Sequence, residues 1–202
     1  MSARGLQPSV VGVLLAAGRA RRFGVDKRWQ PLPGGLTLAE QSAASLVAGV
    51  PNSVAVVRPE DTRLASRLAD LGLRVVINPY ADQGMGSSLA CGVSASRQAA
   101  GWLIALADMP LIRAQSHAAV AQAIRPQVIV APQFAGQSGH PVGFGAWFGP
   151  QLQACRGDRG ARDIVQAHRR RRITLALADA GIVRDVDRPS DWAALARAGD
   201  GR

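Results

Sequence analysis

Short apolar runs alternate with alanine-rich amphipathic segments along this chain, and that alternation constrains the fold more tightly than any other feature. The runs Val10 to Ala16, Ser53 to Val57, Arg74 to Ile77, Trp102 to Ala107 and Val128 to Ala131 are short and rich in Val, Leu and Ile, as strands buried on both faces are. Between them, Thr37 to Ala48, Asp61 to Leu71, Ser87 to Ala99 and Ala114 to Ile124 repeat apolar residues at helical spacing, bounded by Gly, Pro or Asn. The βαβα order predicts a single α/β domain with a doubly wound, mostly parallel sheet and helices on both faces. Ligands of such a sheet bind in the crevice beyond the carboxyl ends of its strands. After Pro132 the texture changes. A Gly-rich stretch, a helix near Trp147 to Ala154, a GDRGAR turn and a helix to His168 precede a final strand and helix, near Ile182 to Asp187 and Ser190 to Ala198.

A chain of 202 residues suits one sizeable domain, burying roughly 70% of its unfolded surface. With 48% apolar residues and 4% aromatics, its core is expected to be built from Ala, Leu and Val. The net charge of +10 fits a polyanionic ligand, but charge alone selects none. Cys91 and Cys155 lie too far apart for a zinc spacing, so a reducing cytoplasm is the expected location. No run approaches the ~18 apolar residues of a membrane span, and the run Val10 to Ala17 reads as a buried strand. No membrane is expected as a partner. Nucleic acid is not expected either, because Tyr80 and the Phe residues lie mostly away from the arginine tetrad Arg169 to Arg172. That tetrad reads as the solvated end of a helix.

Four polar stretches fall at predicted strand ends. The first is GRARRFGVDK, from Gly18 to Lys27. The chain has 23 arginines and one lysine, and that lysine, a compact point charge unlike the planar guanidinium, stands in this loop. Gly18 lets backbone N–H groups approach an anion, and Arg19, Arg21, Arg22 and Lys27 add charge, so the loop reads as a triphosphate cradle. It lacks the Gly-Lys-Ser/Thr of a Walker loop and the G-x-G-x-x-G of a dinucleotide fold. The second stretch is LADMP, whose Asp108 sits where a carboxylate suits Mg²⁺; a cap on the following helix is the alternative. The third is DVDRPSDW, with Asp185 and Asp187 alternating along a short strand. The fourth is NPYADQGMGSSLACG, a loop running into a helix whose amino end offers Ser87 and Ser88, to a ligand or simply as caps.

Taken in order, LAAGRARRFGVDK (15–27), the Asn78 to Leu89 loop, LADMPLI (106–112), SGHPVGF (138–144), GDRGAR (157–162) and DVDRPSD (185–191) resemble the molybdenum cofactor cytidylyltransferase family, within the MobA-like NTP transferases. The resemblance implies a Rossmann-like nucleotidyltransferase fold, with an NTP-binding half at about 8–110 and an acceptor-binding half at about 111–202. It implies transfer of CMP from MgCTP to molybdopterin-bound molybdenum, release of pyrophosphate, and service to a molybdenum hydroxylase. By the same resemblance Lys27, Arg22 and Asp108 are catalytic, and Asp108 with Asp187 holds Mg²⁺ or Mn²⁺. Leu15, Ala16, Ala17, Gly18, Arg19, Lys27, Asn78, Gly84, Ser87 and Ser88 would bind the nucleotide, and His140 and Arg162 the acceptor. Ala17, where guanylyl-transferring relatives typically carry glycine, favours CTP. Transfer of another nucleotide or to another small acceptor, and a non-catalytic cofactor carrier, remain the alternatives.

Overall fold

A computed structural model describes residues 9–18, 26–32 and 34–186. Eight strands form one mixed sheet: β1 (Val10–Leu15), β2 (Ser53–Val57), β3 (Arg74–Ile77), β4 (Gly101–Leu106), β5 (Ile129–Phe134), β6 (Gln137–Ser138), β7 (Val142–Gly145) and β8 (Arg172–Ala176). Among the described residues six α-helices accompany them: α1 (Leu38–Gly49), α2 (Thr62–Asp70), α3 (Met85–Ser94), α4 (Ala114–Ala123), α5 (Gly149–Gln153) and α6 (Arg162–Ala167). The strands run in the order β3-β2-β1-β4-β7-β5-β6, with β8 paired to β5. β1 pairs in parallel with β2 and β4, β2 with β3, and β5 with β8; β7 is antiparallel to both β4 and β5.

The period-2 alternation of strand side chains divides the core in two. Leu14, Ala55, Val57, Leu103 and Ala105 face one layer with Leu46, Leu64 and Leu68 of the helices. Val11, Val13, Leu15, Val54, Val56, Trp102 and Ile104 face the other, with Leu89, Val93 and Leu152. The expected doubly wound sheet with two covered faces is therefore present. Its central strands are hydrophobic throughout because neither face meets water.

Two parts of the chain depart from the sequence expectation, and a third holds elements where the sequence assigned none. The Gly-rich stretch after Pro132 contains β6 and β7. Its glycines fit a strand here because α4 exits directly over it: a Cβ on Gly143 would meet Ile124 Cγ1 at 2.8 Å, and one on Gly145 the Pro126 carbonyl carbon at 2.5 Å. The arginine tetrad does not end a helix. Arg169–Arg171 form a 3₁₀ turn and Arg172 opens β8, whose Ile173 and Thr174 pair with β5; Arg171 stacks over Trp147 at 4.9 Å, an aromatic neighbour that separation in sequence concealed. The strand expected from Ile182 is replaced by a 3₁₀ turn at Ala180–Val183, pinned by the Asp179 carboxylate accepting from Gly181 N at 2.9 Å. The expected helix at Ser190 to Ala198 lies outside the described residues.

Helix α3 crosses over β1 and β2 at Gly92, where an added Cβ would lie 2.5 Å from Val13 Cγ1 and 2.9 Å from Val56 Cγ2. The Gly92→Leu variant is expected to lose about 1–3 kcal/mol through overpacking, read as a lower urea midpoint at unchanged m-value. A second test concerns His117 on α4, which is 2% exposed. Burial pushes its pKa down from 6.5 to about 4, against the opposing pull of Asp179. The unfolded chain then binds more protons between those values, so this contribution is complete above pH 6.5 and is lost as pH falls towards 4. Urea midpoints measured across that window should fall with pH, and less steeply in His117→Leu.

Candidate active site

The connection from β3 through α3 to β4 carries the chain back across β1, so β1 and β4 diverge into opposite halves of the sheet. Beyond their carboxyl ends, at this topological switch point, lies a cleft of about 460 Å³. Its floor is Leu15, Ala16, Ala17 and Gly18 after β1 and Leu106, Ala107 and Asp108 after β4. Arg58 follows β2, and Ala81, Asp82, Gly84, Met85 and Ser88 come from the approach to α3. Lys27, Arg28 and Asp158 complete the wall. Neighbouring strands are ~4.8 Å apart, so the β2 and β4 ends stand about 10 Å apart across β1.

Lys27 opens a single 3₁₀ turn, Lys27–Trp29, whose N-cap is Asp26. Its ammonium donates to Asp108 Oδ2 at 2.9 Å and to the Val186 carbonyl at 3.0 Å. The Val186 N–H in turn donates to the Asp108 carbonyl at 2.9 Å. Asp108 does not cap the following helix. Asp179 serves α4 instead, accepting from Arg113 N at 2.9 Å and Ser116 Oγ at 2.6 Å. The second Asp108 oxygen, Oδ1, is buried with no hydrogen-bond partner among the described residues. A carboxylate oxygen in that state suits a hard divalent cation. Among the described residues no group of three or more His, Cys, Asp or Glu could hold a metal ion.

Arg28, 8% exposed, was indistinguishable in sequence from the other arginines. It binds Asp26 through Nε at 2.9 Å and Nη2 at 2.7 Å, and Asp61 through Nη2 at 2.8 Å and a second, shorter contact from Nη1. Burial works against the Arg28 charge, but Asp26 and Asp61 outweigh it and raise its pKa. Burial likewise opposes the Asp26 carboxylate, yet Arg28 holds its pKa below the usual value. Asp61 occupies the N-cap of α2 without capping it, because its carboxylate is turned to Arg28. Arg58, the other arginine missed in the sequence, stands directly after β2; a charged residue ending an apolar run was the available signal.

Of the other expected site residues, Gly84 lines the cleft with φ +97°, a backbone conformation glycine adopts freely, and it rather than a serine precedes α3. Ser88 also lines the cleft. Ser87 and Asn78 do not: Asn78 is 1% exposed and donates from Nδ2 to both serine hydroxyls at 3.0 Å, while its Oδ1 accepts from Tyr80 N at 2.9 Å. The pair brace the loop that enters α3. His140 lies outside the cleft lining. Burial lowers its pKa, with Asp108, the Ile104 backbone and Asp185 opposing, and its Nδ1 is buried without a partner. Arg162 is exposed at the start of α6, away from the cleft lining. Arg19, Arg21, Arg22 and Asp187 lie outside the described residues.

An α/β sheet with a cleft at its topological switch point is the architecture, and the family follows from the sequence. Residues 12–173 match the MobA-like NTP transferase domain, and the chain belongs to that family of nucleotidyltransferases. The purine catabolism protein PucB of Bacillus subtilis is 29% identical over 95% of this chain and 98% of its own length. The nicotine blue oxidoreductase of Paenarthrobacter nicotinovorans is 30% identical over 77% of this chain and 80% of its own. A probable molybdenum cofactor guanylyltransferase of Haloferax mediterranei is 35% identical over 55% of this chain and 53% of its own. Among solved structures, Rv0371c of Mycobacterium tuberculosis has a TM-score of 0.80 at 23% identity, covering 95% of this chain and all of that one. Its complex with manganese matches with a TM-score of 0.74, at the same identity and coverage. No helix among the described residues is long and apolar enough to cross a membrane.

The Asn78→Ala variant is expected to lose about 1–3 kcal/mol, because Ser87, Ser88 and Tyr80 each lose a buried partner. Thermal or urea unfolding measures it.

Proposed function

We propose that this protein transfers CMP from MgCTP to the terminal phosphate of a molybdopterin-bound molybdenum cofactor and releases pyrophosphate, in the maturation of molybdenum hydroxylases. The observation that carries the reading is the Lys27–Asp108 pair at the switch point, with the second Asp108 oxygen buried and unpartnered. Family membership supplies the class of reaction. A phosphate oxygen of the acceptor attacks the nucleotide α-phosphorus, the bond from that phosphorus to the bridging oxygen breaks, and pyrophosphate leaves. No covalent enzyme nucleophile is needed, so positioning and charge neutralisation carry the catalysis.

In this reading the triphosphate lies towards the β4 side of the cleft, where Lys27 supplies a mobile point charge, and the nucleoside extends across β1 towards Arg58. Gly18, Arg19 and Arg22 contribute from the loop, and Gly84 and Ser88 from the approach to α3. Mg²⁺ or Mn²⁺ held by Asp108, with Asp187 as its second carboxylate, would neutralise phosphate charge, and the manganese complex of Rv0371c is compatible with such an ion. His140 and Arg162 lie towards the acceptor. CTP is preferred to GTP on the strength of Ala17. The relative named as an oxidoreductase does not alter this reading, since the loop after β1 lacks the glycine fingerprint of a dinucleotide site.

Incubation of the purified protein with Mg²⁺, each of the four NTPs and molybdenum-loaded pterin, following pyrophosphate, tests the proposal. Release with CTP is expected. Release only with GTP reassigns the base, and none with any nucleotide favours a carrier. Lys27→Ala and Asp108→Ala should each abolish release while leaving far-UV circular dichroism unchanged. Lys27→Arg should also cost activity, because the fork places its charge differently.

A further inference from the structure

Two buried arginines hold consecutive carbonyls at the end of β1. Arg28 Nη1 donates to the Ala16 carbonyl at 2.7 Å, and Arg58 Nε donates to the Ala17 carbonyl at 2.8 Å. Both are almost fully buried, at 8% and 6% exposure. Each is anchored in turn to acidic side chains from other segments, Arg28 to Asp26 and Asp61, and Arg58 to Asp82 at 3.0 Å and Glu60 at 3.5 Å. The two arginines therefore tie the strand end to the Lys27 turn, to the connection between β2 and α2, and to the approach to α3.

A peptide unit is planar and trans, so its carbonyl and the N–H of the next residue point in opposite directions. Fixing the Ala16 and Ala17 carbonyls fixes the Ala17 and Gly18 N–H groups as well. Neither N–H donates to another described residue, although Ala17 is only 3% exposed and both residues line the cleft. Buried backbone donors are nearly always paired, so the open N–H of buried Ala17, with the N–H of exposed Gly18 beside it on the cleft, marks a place where acceptor atoms belong.

We propose that Arg28 and Arg58 are positioning residues for the nucleotide, holding the end of β1 so that the Ala17 and Gly18 N–H groups present a pair of donors to acceptor atoms of an NTP. The proposal rests on the nucleotidyl-transfer reading above. It gives Asp61, which is not part of the cleft lining, a duty exerted through Arg28, which is. Arginine suits the role because its fork reaches a carbonyl and two carboxylates at once, which an ammonium group on a flexible stem does not do with fixed direction.

Asp61→Asn loosens Arg28 without touching the cleft, and Arg58→Lys keeps the charge while losing the fork. Steady-state pyrophosphate release should show the KM for MgCTP rising roughly tenfold in each, with the KM for molybdenum-loaded pterin unchanged. Amide NMR supplies an independent reading: the Ala17 and Gly18 resonances should shift on addition of MgCTP to the wild-type protein, and shift less in the variants. Folded variants with the wild-type KM for MgCTP, or wild-type amides that do not respond to MgCTP while the enzyme turns over, overturn the positioning role and leave the nucleotidyl-transfer reading intact. A wild-type protein that releases no pyrophosphate with any NTP overturns both. Where Asp61→Asn fails to fold, Arg58→Lys and the wild-type amide shifts decide.

Discussion

The parallel pairing of β1 with β4 is the constraint on which the rest of the structure depends. Six consecutive residues of β1, from Val10 to Leu15, stand in register with Gly101 to Leu106. Because the chain has already built β2 and β3 on the other side of β1, this pairing forces α3 to cross the sheet. The crossing opens a gap beyond the two strand ends, where the cleft lies. Gly92 lets the crossing helix sit close, and the register brings Ala16 to Gly18 level with Ala107 and Asp108. A carboxylate, a glycine loop and a lysine thus converge without needing to be near one another in sequence.

Charge at this cleft is organised by burial more than by number. A net charge of +10 would dress any surface of the protein in arginine, yet the arginines that line the cleft among the described residues, Arg28 and Arg58, are almost fully buried. Each has carboxylate partners, as a charge removed from water must. These networks hold the strand end through its carbonyls, while Lys27 brings a compact point charge to the same cleft, where Asp108 and the Val186 carbonyl accept from it.

The layered core was legible in the sequence because burial on both faces leaves a strand nothing but apolar residues, as in Val54 to Val57 and Leu103 to Ala107. Helix positions followed from periodicity in the same way. The second half was read less well. Glycines at 143 and 145 carry no strand signal in isolation, and only the path of the chain after α4 shows that they make room within a strand. Four successive arginines hide an edge strand, because β8 is largely exposed and its pattern carries no buried face to detect. Asn78 and Ser87 stood in a loop that looked ligand-binding, but their hydrogen bonds run to each other and to the backbone.

What the sequence by itself determined was the class of fold, the crevice at which chemistry belongs, and the singular placing of Lys27 in a glycine-containing loop. These are properties of local pattern and composition, and they survive without coordinates. Only the tertiary structure decided that Lys27 meets Asp108, 81 positions away, that one oxygen of Asp108 has no partner among the described residues, and that Arg28 and Arg58 donate to the two carbonyls that follow β1. The physical reason is that a hydrogen bond or an ion pair depends on distance and direction in space, and the sequence sets neither until a sheet has fixed which strand ends are neighbours.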